Sequence, residues 1–148
     1  MIWKNIMCDI PNNNHIIRYA PPIKINDSKV SIDIFALREN ENYLSCFWFE
    51  FRNNNIYEIK KDMLSRNLRL NPNGLNLSIN ISKMKDIITI HKNTYNTNLN
   101  ISVKHISNKN DSYSGIKPNS KDNFMDIRLR RELLHSIVDK FPISKISD

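Results

Sequence analysis

The chain has 148 residues, of which 40% are hydrophobic and 25% charged, and it carries a formal net charge of +7. That balance fits an ordinary globule with one core rather than the disordered or membrane classes, and no apolar run approaches the roughly 20 residues that cross a bilayer. Two cysteines, Cys8 and Cys46, cannot build a disulfide framework. Both are read as small buried hydrophobes, and the start MIWKNIMCDIPNNN lacks the pattern of a secretory signal, so a cytoplasmic, reducing location is expected.

Residues 1–14 read as an irregular start to a single domain spanning 1–148. His15–Tyr19 is β-prone and is stopped by Pro21-Pro22, where two backbone donors are missing, which predicts an edge strand. Val30 to Phe51 contains two apolar runs around Glu39-Asn40-Glu41-Asn42 and reads as a buried hairpin. Its second run, Tyr43 to Phe51, is apolar on both faces and belongs at the centre of a sheet, with Glu50 as a carboxylate in need of a partner.

Asn55, with Glu58 three residues on, predicts the start of a helix carrying Ile56, Ile59, Met63 and Leu64 on one face. Pro72-Asn73-Gly74 is a turn, after which Leu75, Leu77, Ile79 and Ile81 alternate with Asn76, Ser78 and Asn80, predicting a strand with one wet face. Ser82 is placed to cap a helix through Met84, Ile87, Ile88 and His91. A strand is expected around Leu99, Ile101 and Val103, and Ser107 to Lys121 reads as a long functional or mobile loop. A last helix is expected from Asn123 to Phe141, with 142–148 as a frayed tail.

With only Gly74 and Gly115, neither a phosphate-cradling Walker loop nor a dinucleotide fingerprint can be written. The histidines His15, His91, His105 and His135 lack metal-ligand spacing, so no metal site and no cofactor is implied. His105-Ile106-Ser107 is half of a paired phosphoesterase motif, and two Ser-x-x-Lys runs stand without supporting motifs, so catalysis is less expected than binding. A small hydrolase using His105 or His135 is the weakest reading.

Two basic groups remain. Lys60, Lys61, Arg66 and Arg69 cluster on and after the first helix, and Lys117, Lys121, Arg128, Arg130 and Arg131 surround the start of the last, with Tyr113 as a stacking ring. If they adjoin they form an anion-binding stripe; otherwise each helix wears solvated charge interspersed with acids. Arg38, Glu39, Glu41, Trp48 and Glu50 suggest instead a protein-contact loop on a stiff hairpin, or an Arg38–Glu50 pair serving stability.

Arg18-Tyr19, the run Phe35 to Glu50 (FALRENENYLSCFWFE) and Ser112-Tyr113-Ser114-Gly115-Ile116 resemble a pattern in small uncharacterised bacterial proteins, with Tyr113 where that pattern has histidine. The resemblance covers about a third of the chain. It implies a bacterial origin and a single domain, and it attaches no activity.

The architecture expected is a two-layer α+β domain, with four to six mostly antiparallel strands and two or three helices chiefly on one face. The function expected is a non-enzymatic protein-binding subunit or adaptor in a bacterial multi-component system of the defence or toxin–antitoxin kind, its partner a protein encoded nearby. The alternative is sequence-tolerant nucleic-acid binding through a basic helical face. No membrane partner is expected, and the oligomeric state is open.

Overall fold

The computed structural model describes residues 8–147, so expectations for residues 1–7 and for Asp148 lie outside the described residues. Its elements are β1 (Cys8–Asp9), β2 (His15–Ala20), β3 (Ile25–Asn26), β4 (Lys29–Val30), β5 (Leu44–Trp48), α1 (Ile56–Ser65), β6 (Leu75–Asn80), α2 (Ile81–Tyr95), β7 (Ile101–His105), β8 (Tyr113–Pro118), α3 (Ile127–Leu133) and β9 (Ile137–Pro142). Seven strands form one sheet in the order β1-β7-β8-β5-β2-β6-β9, and β3 and β4 pair separately. Every neighbouring pair in the large sheet is antiparallel, so the α+β class holds with a sheet larger than the four to six strands expected. Among the described residues no helix is long and apolar enough to cross a membrane.

Successive strand residues point to opposite faces, and the two hydrophobic clusters follow that alternation. Ile16, Leu44, Cys46, Leu77, Val103 and Ile116 pack with Met84 and Ile88 of α2 and with Leu129 and Leu133 of α3. Ile17 and Phe47 point the other way and pack with Ile59 and Met63 of α1. The main core therefore lies under α2 and α3, and α1 covers part of the opposite face.

β5 is the central strand, as its two apolar faces require, but it has no hairpin partner in residues 30–37. Both of its edges are taken, by β2 and by β8. The 30–37 run instead closes into a 3-10 turn, Ile32–Phe35, capped by the Ser31 side chain accepting from Asp33 N–H. Arg18 fastens it: Nε donates to the Ile34 carbonyl at 2.7 Å and Nη1 to the Ser45 carbonyl at 2.6 Å. Burial pulls this guanidinium below its ordinary pKa.

Other expectations shift for similar reasons. β2, expected at an edge, lies between β5 and β6. β6 has no wet face, because Asn76 and Ser78 are buried. The expected loop 107–121 contains β8, which fills the gap between β7 and β5. The expected last helix divides into a 3-10 turn (Lys121–Met125), α3 and the edge strand β9, where β-branched Ile137 and Val138 favour extension. The tail is docked as far as Ile146, which is buried and whose carbonyl accepts from Lys60 Nζ at 3.2 Å. Asn55 caps α1 as expected, accepting from Tyr57 and Glu58 N–H, whereas Leu64 faces water. The α2 cap is Asn80, not Ser82. Cys46 is buried and its thiol is pushed up to about 12 by that burial, while Cys8 is exposed.

Candidate functional site

β7 and β8 bury one face and leave part of the other open to solvent. Their inner positions, Ile101, Val103, Ile116 and Pro118, are buried, and their outer positions are Ser102, Lys104, Gly115 and Lys117. The register sets Ser102 beside Lys117 and Lys104 beside Gly115, and Gly115 beside Ser45 of β5. α1 covers the neighbouring part of this face and stops short of β7. The result is a groove of about 720 Å³ whose lining includes Tyr43, Arg66, Lys104, Tyr113 and Lys117 and, among the described residues, no carboxylate.

One wall is a chain of hydroxyls. Tyr43 and Tyr113 hydroxyls are 3.1 Å apart, and Tyr113 is also 3.1 Å from Ser45 Oγ. Burial and the hydrogen bond with Tyr113 push the Tyr43 phenol up to about 12, so it stays protonated at neutral pH. A Cβ at Gly115 would lie 2.7 Å from Tyr43 Cδ2, so the ring rests on bare backbone.

Arg66 closes the α1 end. Its Nε and Nη2 donate to Asp111 at 2.8 and 3.0 Å, and its guanidinium carbon lies 4.2 Å from the Tyr113 ring centroid. Burial alone would raise the Asp111 pKa, but hydrogen bonds from Arg66, Ser107 and the Tyr113 N–H outweigh it and hold the carboxyl below its ordinary value. Arg66 is therefore a fixed cation on an aromatic ring rather than a free one.

Of the basic residues singled out in the sequence, only Arg66 and Lys117 line the groove. Lys60 is spent on the tail, Lys61 pairs with Glu58 at 3.7 Å, and Arg69 is exposed beyond α1. Lys121 donates to the Glu39 carbonyl, Arg128 pairs with Asp126 and covers Tyr95, Arg130 pairs with Asp33, and Arg131 is exposed on α3. Because α1 and α3 pack on opposite faces, the two basic groups do not merge into one helical stripe.

The loop-and-strand set is also divided. Arg38, Glu39 and Glu41 precede β5, with Arg38 N–H donating to Glu41 Oε1, while Trp48 and Glu50 lie at its far end. Glu50 pairs with His15 at 2.7 Å rather than with Arg38, and Trp48 Nε1 donates to Asn14 Oδ1. His15 Nε2 faces Asn80 Nδ2, which can only donate, so the tautomer with the proton on Nδ1 serves both partners. His105 Nε2 lies 2.6 Å from the Asp111 carbonyl and its ring packs on Trp48 and Phe51, and His135 is exposed. Among the described residues no group of three His, Cys, Asp or Glu is placed to hold a metal.

Tyr43, Ser102, Lys104 and Gly115 were not legible as site residues. The signal for two of them was the alternation of Ser102 and Lys104 with Ile101 and Val103. Compared with protein-family models, with curated proteins and with solved structures, the chain matches none.

Proposed function

We propose that the protein binds nucleic acid along the open half of its sheet. The observation that carries this reading is the groove lining: Lys104, Lys117 and Arg66 beside two tyrosines, with no carboxylate among its described residues. A polyanion gains by releasing condensed counterions to solvent as Lys104 and Lys117 take their place, and aromatic rings beside them accept bases. Lys104 is only loosely engaged by Asp9, at 3.9 Å and at an exposed position, so that contact does little to neutralise it. This reading takes up the anion-binding alternative but seats it on the strands in place of the helical face expected from the sequence.

The test is fluorescence anisotropy of labelled oligonucleotides across a salt series, with Lys104→Gln and Lys117→Gln. Affinity should fall steeply with salt, and each substitution should flatten the log–log slope by about 0.7 to 0.9 while weakening all sequences alike. Binding indifferent to salt, or unchanged in the double variant, would remove the reading.

A further inference from the structure

We infer that the groove takes a single strand, with an unpaired base stacked on Tyr43 and the flanking phosphates on Lys117 and Lys104. This rests on the nucleic-acid reading and adds the strandedness and the position of the base.

The groove brings the ring and the cations together. Tyr43 stands just before β5, whose Leu44 pairs with Ile116, and Tyr43 and Lys117 both line the groove, where Lys117 pairs in turn with Ser102. Side chains two residues apart share a face, and Tyr43, Ser102, Lys104 and Lys117 line the groove together with the bare backbone of Gly115. A ring and lysines lining one groove give a base and its flanking phosphates separate partners.

The two tyrosines are not equivalent. Tyr113 is covered by Arg66 at 4.2 Å and meets Phe47 edge-on, with centroids 5.5 Å apart, so it is already engaged. Tyr43 is half-buried, is held at its hydroxyl by Tyr113 and sits on Gly115 at its other end. A ring fixed at both ends loses little freedom on stacking, which favours binding. Duplexes keep their bases stacked inside and offer phosphates on a convex surface. A ring set down among floor residues has nothing to stack on there, whereas single strands splay their bases outward.

The experiment compares oligothymidylate, oligouridylate and a hairpin duplex of equal charge, using full-length protein at one salt concentration. Both single strands should bind at least about tenfold tighter than the duplex. Tyr43→Leu should cost about fivefold or more for the single strands, as removal of an aromatic stacking partner does, and leave the salt slope unchanged. Tyr43→Phe should retain affinity. Tyr43→Trp should give fluorescence that is quenched by the single strands, after subtraction of the parent protein. Equal duplex binding with Tyr43→Leu silent, while Lys117→Gln still weakens binding, would overturn the stacking inference and leave the nucleic-acid reading intact. Failure of both variants to matter, or tighter binding of polyglutamate than of any oligonucleotide, would overturn both in favour of an acidic polypeptide.

Discussion

Asp62 and Ser112, fifty positions apart, are joined twice: Asp62 Oδ2 accepts from the Ser112 N–H at 3.0 Å and from its Oγ at 2.6 Å. The same carboxylate receives the fork of Arg52, Nε at 2.9 Å and Nη2 at 2.8 Å. Arg52 is in turn driven to a raised pKa, first by that hydrogen bond. One buried charge thus ties α1, the turn after β5 and the entrance to β8. Asp62→Ala strands the buried Ser112 N–H and leaves Arg52 without its partner, and we expect it to cost about 3–5 kcal/mol in urea unfolding. Asp62→Asn, which keeps an acceptor, should cost less, about 1–3 kcal/mol.

Asp111 makes a pH prediction. Its folded pKa lies below the unfolded value of about 3.9, because the hydrogen bonds from Arg66, Ser107 and Tyr113 N–H outweigh burial. Near that pH the unfolded chain therefore binds more protons at this site. The stabilisation is fully present above the unfolded pKa and is lost as pH falls through the lower folded value. Urea midpoints measured from neutral pH downward should show the parent losing stability below about pH 4, and Asp111→Asn should lose less over the same interval. At neutral pH the variant should be the weaker protein by about 1–3 kcal/mol.

Local chemistry was legible in the sequence and pairing was not. Asn55 announced α1 because a cap is a contact between near neighbours, and β5 announced its central place by being apolar on both faces. The run 30–37 misled because its alternation suits a strand, yet no edge of β5 was left for it and Arg18 captured the chain instead. β8 was hidden by Gly115 and Pro118, which read as loop residues. Gly115 is needed under Tyr43, and Pro118 ends the strand, where a missing N–H costs least. The groove inherits this blindness: Lys104 and Tyr43 come to line one groove only through register, which period-two patterning does not fix.

The two glycines should respond differently to alanine. Neither has a positive φ, so the cost is contact alone. At Gly74 a Cβ would lie 2.8 Å from the Ala20 carbonyl oxygen and 2.8 Å from Tyr19 Cε1, and the backbone oxygen cannot swing away. At Gly115 the nearest atoms all belong to the Tyr43 side chain, Cδ2 at 2.7 Å and Cγ at 3.0 Å, so the ring yields only by tilting off the strand and loosening its hydroxyl contact with Tyr113. Gly74→Ala should therefore lower the thermal midpoint more, by about 1–3 kcal/mol in equivalent stability. Gly115→Ala should leave the midpoint nearer the parent's while shifting the Tyr43 ring resonances.

Asn76 is fully buried on β6, and neither its Nδ2 nor its Oδ1 has a hydrogen-bond partner among the described residues. Its ladder neighbours are Tyr19 and Phe141, so the amide lies between aromatic residues. An unpartnered buried amide costs about 1–3 kcal/mol on mutational scales, and a side chain of the same branching without polar atoms removes that cost. Asn76→Leu should therefore raise the urea midpoint with the slope unchanged, whereas Asn76→Ala should lower it by opening a cavity. Destabilisation by leucine equal to that by alanine would overturn the account of Asn76 as an uncompensated amide.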